Sequence, residues 1–167
     1  MKELRHIPVQ KGKTYDISIA RLGTSGEGVG RYEGFTIFVP FALPGEQVRA
    51  RITLVKKNYA TAALVEVLKP SPDRIQPQCP VYDRCGGCQL QHLSYEGELK
   101  EKRQQVRDAL ERIGHLQHID VLPTLGANTP WHYRNKMQFP VAAAGKGKVA
   151  IGCFAAATHE VIDVTDC

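Results

Sequence analysis

Residues 47–55 read QVRARITLV, and this stretch decides the fold. Apolar and polar side chains alternate along it, which is the period of a β-strand with one buried face. The polar positions include Arg49 and Arg51, so the same strand presents cations to solvent. The apolar positions are Val48, Ala50, Ile52 and Leu54. The stretch therefore predicts a half-buried strand with a basic outer face.

Three further segments near this strand have the composition of short strands. Residues 15–22 alternate loosely, residues 35–39 form an aromatic and β-branched run, and residues 59–67 follow a polar turn. Four or five short strands in about 55 residues, separated by Gly and Pro, predict a small antiparallel barrel. The glycines of residues 23–30 lack the Lys-Ser/Thr ending of a phosphate loop, so we assign them to turn and bulge geometry.

A long helix is predicted in the second half of the chain, over residues 94–113. Ser94 is a typical residue for its N-terminal cap, and Gly114 is typical of its end. The helix has an apolar stripe formed by Leu99, Val106, Leu110 and Ile113. A helix of this pattern has one side that packs against another surface.

The chain divides into an N-terminal extension (1–11), a barrel (12–70) and a smaller domain (71–167), with a proline-rich boundary after residue 69. Besides the helix, the smaller domain contains three segments that predict antiparallel strands separated by Gly-rich turns, at residues 133–141, 148–154 and 160–164. The predicted fold class is therefore mainly β with α, in which a β-barrel is followed by a small α+β domain.

The formal net charge of +5 lies entirely in the first part of the chain. Residues 1–70 contain eleven Lys and Arg against six Asp and Glu, whereas residues 71–167 contain eleven of each. A basic excess confined to one module indicates a polyanionic partner, most often nucleic acid. A charged surface that only keeps the protein in solution is the alternative.

Cations and aromatic rings are interleaved on the predicted barrel and again near residue 134. This mixture suits single-stranded RNA, because bases stack on rings while phosphates meet the charges. We assign Phe38 to the core, whereas Tyr32 and Tyr59 fit the core or the surface equally well. The candidate RNA contacts are Arg21, Arg31, Arg49, Arg51, Lys56, Lys57, Tyr59, Arg134 and Lys136.

No stretch approaches the ~18 uninterrupted apolar residues of a membrane span. Residues 1–13 lack the apolar segment of a secretory signal, so we expect a cytoplasmic protein that makes no membrane contact. In a reducing compartment, clustered cysteines indicate metal binding or redox chemistry more than structural disulfides.

Three of the five cysteines fall within ten residues, with the spacing C-x5-C-x2-C. A tight triplet with one distant cysteine is typical of a cubane iron–sulfur cluster, and a Gly-Gly pair inside the triplet lets the backbone wrap closely. A structural zinc site near His92, or free redox thiols, are the alternatives. We expect Cys153 to be a buried small hydrophobe. The candidate ligands are Cys79, Cys85, Cys88 and Cys167.

Taken together, these residues resemble the N-terminal part of the bacterial uracil-5-methyltransferases that act on 23S ribosomal RNA. The likeness covers essentially the whole chain and follows the family's order. It is carried by GEGVG at 26–30, ALPGE at 42–46, the cysteine stretch at 79–92, YRNK at 133–136 and DVTDC at 163–167.

The resemblance implies a TRAM domain, which is an OB-like RNA-binding barrel, at residues 12–70. It also implies that Cys79, Cys85, Cys88 and Cys167 hold a [4Fe–4S] cluster in an iron–sulfur domain. Members of this family transfer a methyl group from S-adenosylmethionine to uracil C5, with a catalytic cysteine and a glutamate in a C-terminal domain. That domain has no counterpart in this sequence, so we expect RNA binding without catalysis and assign no catalytic residue.

The resemblance names two partners, 23S ribosomal RNA and the protein's own C-terminal methyltransferase domain, on which the helix at 94–113 is expected to dock. An uncovered helix stripe predicts self-association of the chain by itself. The alternative functions are a stand-alone RNA-binding module with a structural zinc site and a cluster-bearing electron-transfer protein.

Overall fold

The computed structural model describes residues 7–145, 147–165 and 167. Its first part is a closed five-stranded barrel with the strand order β1-β2-β3-β5-β4. The strands are β1 (Thr14–Leu22), β2 (Gly28–Tyr32), β3 (Phe35–Val39), β4 (Gln47–Val55) and β5 (Tyr59–Lys69). The predicted barrel is therefore confirmed, and residues assigned from sequence to a glycine turn form part of β2.

The barrel is not fully antiparallel, which corrects the sequence prediction. Strands β3 and β5 pair in parallel, with Thr36 opposite Tyr59 and Phe38 opposite Thr61. All other neighbours in the barrel pair antiparallel. The reason is geometric, since an odd number of strands cannot alternate in direction all the way around a closed ring. One parallel pair is required, and it joins β3 to β5.

The barrel interior is filled by aliphatic side chains that alternate with outward polar residues. Ile17, Ile37, Val48 and Ile52 are fully buried at its centre. Gly30 lies in β2 because a Cβ there would come within 2.5 Å of the Ile17 side chain and 2.6 Å of the Ser18 carbonyl oxygen. The glycine thus lets β1 and β2 approach closely.

Two sequence assignments change at the edge of this core. Val9, placed in the N-terminal extension, is buried among the barrel residues. Phe38, assigned to the core, is only half-buried, because Ile37 and Val39 on either side of it fill the interior. Neighbouring residues of a strand point to opposite faces, so Phe38 lies on the outer face of the barrel. Tyr32 is half-buried and packs against the core.

The predicted helix is present as α1 (Tyr95–Asp108), followed by a π-helical turn at Ala109–Ile113 that ends at Gly114. The Ser94 hydroxyl caps it by accepting a hydrogen bond from the Gly97 N–H at 3.1 Å. The apolar stripe is partly uncovered, because Val106 is 50% exposed and Ile113 is 81% exposed. No helix within the described part of the chain is long and apolar enough to cross a membrane.

A three-stranded antiparallel sheet follows, formed by β6 (Val141–Ala143), β7 (Val149–Phe154) and β8 (Val161–Asp163). The strand predicted at 133–141 is wrong for all but its last residue. Pro140 precedes β6 and has no N–H to donate to a ladder, so the polar and aromatic segment before it remains outside the sheet. The strands predicted at 148–154 and 160–164 are confirmed within a residue or two at each end.

Candidate nucleic-acid surface and cysteine site

The barrel is joined to the second region by a buried ion pair. The Glu46 carboxylate accepts hydrogen bonds from the N–H groups of Leu43 (2.8 Å) and Ser71 (3.2 Å). The Arg74 guanidinium donates two more, at 2.5 and 2.8 Å, and also reaches the Phe41 carbonyl oxygen at 2.7 Å. Burial by itself would raise the pKa of Glu46, but Arg74 and the backbone donors outweigh it and hold that pKa below its usual value.

His92 lies beside this ion pair and is almost fully buried. Its Nδ1 atom is 2.6 Å from the Tyr82 hydroxyl, which donates to the Gln89 carbonyl oxygen at 2.7 Å. Because that hydroxyl proton is already used, we assign the proton on the ring to Nδ1. Burial, reinforced by the charge of Arg74, lowers the pKa of His92 to about 4.

Tyr82 and His92 connect the cysteine loop to the barrel. Both rings contact Phe41 at edge-to-face angles, with centroids 5.6 and 6.0 Å away. Burial raises the pKa of Tyr82 to about 12, so its hydroxyl stays protonated and available as a donor. The sequence did not predict this cluster, because its members are far apart in the chain and none belongs to a recognisable motif.

The cysteine loop, residues 79–88, is held against strand β7 by backbone contacts. Cys85 forms an isolated antiparallel bridge with Ala155, and the Gly86 N–H donates to the Phe154 carbonyl oxygen at 2.9 Å. A Cβ on Gly86 would lie 2.9 Å from that same oxygen, so a side chain there would push the loop away. This is the close wrapping that the Gly-Gly pair predicts.

The sulfur atoms gather around this loop. A Cβ on Gly87 would be 3.3 Å from the Cys85 sulfur and 3.4 Å from the Cys153 sulfur, so both thiols border the same small space. Cys153 is half-buried, and burial together with the adjacent Cys85 thiol raises its pKa. The sequence interpretation of Cys153 as an isolated hydrophobe therefore missed its neighbour.

Cys167 belongs to the same neighbourhood. Partial burial and the nearby thiols of Cys88, Cys79 and Cys85 raise its pKa, while the Arg134 guanidinium opposes that rise. Cys167 is thus close enough to the other three candidate ligands to be influenced by their charges.

The gathered thiols are not closed into a compact ligand shell. Within residues 7–145, 147–165 and 167, no three His, Cys, Asp or Glu side chains stand in a metal-binding group. A single zinc ion needs four ligands around one atom, whereas each thiolate of a cubane cluster binds a different iron. Which of the two groups these thiols hold therefore stays a prediction.

The predicted RNA contacts on the barrel all lie on its outer surface. Arg21 is on β1, Arg31 on β2, and Arg49 and Arg51 on β4. Lys56 and Lys57 form the turn between β4 and β5, and Tyr59 opens β5 with 37% of its surface exposed. Arg49 is half-buried and the other cations are exposed.

Arg49 differs from the other cations because it is already paired. Its guanidinium donates to both Asp16 carboxylate oxygens, at 2.8 and 3.1 Å, and to Glu66 at 3.3 Å. The hydrogen bonds from Arg49 hold the pKa of Asp16 below its usual value. These three side chains together have a formal charge of −1, so they supply no excess positive charge to a partner.

Arg134 and Lys136 belong to none of the barrel strands, and the Arg134 guanidinium is close enough to Cys88 and Cys167 to be influenced by their charges. With Met137 and Gln138 they line an open depression of about 300 Å³. The Arg134 guanidinium carbon lies 5.9 Å from the centre of the Tyr133 ring. The structure thus separates the predicted RNA contacts into two groups, one on the barrel and one beside the thiols.

A closed five-stranded barrel with exposed cations belongs to the class of small nucleic-acid-binding barrels. The sequence profile of the TRAM domain matches residues 8–65. An uncharacterized RNA methyltransferase of Halalkalibacterium halodurans is 47% identical over 99% of this chain and 36% of its own length. An uncharacterized RNA methyltransferase of Clostridium tetani is 47% identical over 98% of this chain and 35% of its own length.

Among solved structures, the chain is similar to the tRNA (uracil-54, C5)-methyltransferase of Pyrococcus abyssi in complex with S-adenosyl-L-homocysteine. The TM-score is 0.57 with 28% identity, over 90% of this chain and 32% of that one. Residues 8–65 belong to the TRAM-domain family, and nearly the whole chain is similar to RNA methyltransferases. It spans about a third of the length of the curated relatives it matches.

Proposed function

We propose that this chain is the RNA-recognition and iron–sulfur portion of an S-adenosylmethionine-dependent methyltransferase that forms 5-methyluridine in 23S ribosomal RNA. The observation that carries the proposal is the likeness to RNA methyltransferases over nearly the whole chain. The similarity to a uracil C5-methyltransferase supports uracil as the base. The resemblance noted in the sequence supports 23S ribosomal RNA as the substrate and the cytoplasm as the location.

In this proposal Cys79, Cys85, Cys88 and Cys167 hold a [4Fe–4S] cluster. The proximity of Cys167 to the other three thiols and the glycine-lined loop support that ligand set. The bound cluster would supply four iron–thiolate bonds that fasten the cysteine loop to the end of the chain. The chain's own residues then keep the loop on the barrel through Tyr82 and His92.

The basic outer face of the barrel binds RNA in this proposal, and methyl transfer is assigned elsewhere. As the family resemblance implies, we assign S-adenosylmethionine and the catalytic residues to the part of the longer relatives that this chain does not cover. The chain alone is therefore expected to bind RNA without methylating it.

The cluster is tested by purifying the chain without oxygen and measuring bound iron, zinc and acid-labile sulfide. About four iron and four sulfide per chain are expected. Zinc without sulfide would contradict the cluster and favour an RNA-binding module with a structural zinc site. A loaded cluster that exchanges one electron reversibly, in a chain that binds no RNA, would favour an electron-transfer protein.

The substrate is tested with a chimera that joins residues 1–167 to the part of the Clostridium tetani relative that the match leaves uncovered. The chimera is incubated with S-adenosylmethionine and, in separate reactions, unmodified 23S ribosomal RNA or unmodified transfer RNA, and the nucleosides are analysed by mass spectrometry. 5-Methyluridine is expected, and a reaction without S-adenosylmethionine is the control. Methylation of transfer RNA instead would overturn the 23S assignment.

A further inference from the structure

Two patches of the barrel's outer surface differ in how they use their charges. The first contains Arg49, which is bound by Asp16 and Glu66. The second, which we call the aromatic face, consists of Arg31, Phe38, Lys56, Lys57 and Tyr59. Within the residues that the structure describes, the three cations of the aromatic face form no ion pair shorter than 4 Å. The aromatic face is therefore a part of the barrel whose positive charge is free for a partner.

The strand register brings the members of the aromatic face together. Arg31 on β2 is opposite Thr36 on β3, and Thr36 is opposite Tyr59 on β5. The Lys56 N–H donates to the Tyr59 carbonyl oxygen at 2.8 Å, so the lysine turn leads directly to the tyrosine. Cations thus lie on both sides of Tyr59, one across the sheet and two along the chain.

The tyrosine ring is held in place by its neighbour. Phe38 and Tyr59 pack edge to face, with ring centroids 5.4 Å apart and planes 84° apart. Neither ring belongs to the buried core, although Phe and Tyr of this size usually contribute much of it. An aromatic pair kept outside the core and surrounded by free cations is the arrangement that unpaired bases and phosphates bind.

We propose that Tyr59, braced by Phe38, stacks on an unpaired base of single-stranded RNA, while Lys56 and Lys57 contact the adjacent phosphates. The proposal rests on the proposed RNA-binding function and assigns it a place and a mode of binding. Duplex RNA does not fit this site, because its bases are already stacked within the helix and present no free face to a ring. RNA is preferred over DNA because the family acts on RNA.

The first test measures the affinity of the full chain for a fluorescent ten-nucleotide oligouridine by anisotropy. Tyr59→Ala is expected to weaken binding about five- to a hundred-fold, the range found when one base loses a stacking partner. Tyr59→Phe should stay within about twofold of the original chain, since the ring alone is required. Tyr59→Leu keeps apolar volume without a ring, so its affinity for oligouridine should resemble that of Tyr59→Ala. It replaces Tyr59→Ala in the test if the alanine variant fails to fold.

The second test asks whether the lost affinity comes from a base. An oligonucleotide of the same length with abasic positions keeps every phosphate but offers nothing to stack on. On it, the original chain and Tyr59→Ala should bind equally. A full effect of Tyr59→Ala on the abasic strand would overturn the stacking assignment, and so would equal binding of duplex RNA.

The third test separates the two lysines from general charge. Lys56→Ala combined with Lys57→Ala should make the slope of log affinity against log salt less steep by about 1.4. Each of the two lost phosphate contacts contributes about 0.7 to that slope. The matched control combines Lys69→Ala with Lys148→Ala, two exposed lysines outside the aromatic face, and should leave the slope unchanged. Equal effects of both pairs would contradict a defined site.

Failure of the inference and failure of the proposed function give different results. If the original chain binds no RNA, the proposed function fails and the site fails with it. If the original chain binds oligouridine and Tyr59→Ala binds it equally well, the site is wrong while RNA binding stands. Thermal unfolding of each variant by circular dichroism confirms that the barrel remains folded.

Discussion

The barrel and the cysteine-containing region differ in how much of their structure they stabilise themselves. The barrel has a closed ladder and a continuous aliphatic core. In the second region, residues 71–167, only four described apolar residues are buried: Tyr82, Leu93, Ala150 and Ile162. Large side chains there face solvent, and Leu125 is 96% exposed. Both regions contain a similar fraction of apolar residues, so the difference comes from packing.

This difference indicates which interactions stabilise each region. Burial of apolar surface is the main source of folding free energy, and the barrel has that source within its own strands. The second region has short strands, isolated bridges and few buried side chains. We therefore expect the folded structure of the second region to depend on bonds to a cluster and on contacts with other surfaces. We expect the folded structure of the barrel not to depend on them.

The largest expected effect tests that dependence directly. Cys85→Ser should remove most of the bound iron and sulfide, because it deletes a proposed ligand next to the β7 bridge. Hydrogen exchange should then rise across residues 71–167 and stay unchanged in the barrel strands. Cys153→Ser is the matched control, since Cys153 borders the same space but is not a proposed ligand, and should keep its iron. Equal iron loss in both variants would contradict the ligand set.

The next effect concerns the junction between the two regions. Glu46→Gln should lower the free energy of unfolding by about 2 to 4 kcal/mol, because it leaves the Arg74 charge without its buried partner. Chemical denaturation measures this change. The control, Glu66→Gln at an exposed ion pair, should change that free energy by no more than about 0.5 kcal/mol.

Glu46 also predicts an acid limit for the junction. Its pKa is lower in the folded chain than the ordinary value of 4.5. The stabilisation is therefore complete above that value and is lost as the pH falls through the lower folded pKa. Glu46→Gln should abolish this part of the pH dependence, and a variant that kept it would assign the acid sensitivity to another group.

His92 should give a smaller effect in a different pH range. Its folded pKa of about 4 lies below its ordinary 6.5, so the unfolded chain takes up a proton first as the pH falls. Stability should decline between about pH 6.5 and 4, by about 2 to 3 kcal/mol in total. His92→Asn, which cannot titrate, should flatten that decline. If stability declined with falling pH just as steeply in this variant, a group other than His92 would be responsible for the decline.

The smallest expected effect distinguishes the two patches of the barrel. Arg49→Met should weaken oligouridine binding less than Arg31→Met, because the Arg49 charge is already shared with two carboxylates. We expect the two affinities to differ about twofold, which anisotropy can resolve. A larger loss for Arg49 would mean that RNA displaces its carboxylate partners.

The sequence predicted the barrel well because alternation such as that of residues 47–55 reports which face of a strand is buried. It could not predict the parallel pairing of β3 and β5, since alternation does not identify a strand's neighbours. Phe38 was misplaced for a related reason: residue type indicates burial on average, and here β-branched neighbours occupied the interior. The strand at 133–141 failed because the effect of Pro140 on pairing outweighed aromatic composition.

The candidate site was predicted unevenly. The cysteine spacing and the Gly-Gly pair identified the loop, because their signal is local in sequence. The contacts of Glu46, Arg74 and His92 were missed because they join distant segments, and a pairing of charges 28 residues apart leaves no periodic trace. A single acidic residue within the apolar ALPGE segment at 42–46 was the available signal.

The buried carboxylate of Glu46 has a consequence for the order of events during synthesis. Two of its partners, Ser71 and Arg74, lie 25 and 28 residues later in the chain. A ribosome adds about 5 to 20 residues per second, so Glu46 waits about one to six seconds for them. During that interval the carboxylate needs water as its partner, and the barrel end that will cover it has to stay open. Strand β5 itself ends at Lys69, so the barrel becomes complete only a few residues before Ser71 and Arg74 are added, and burial of Glu46 nearly coincides with closure of the barrel.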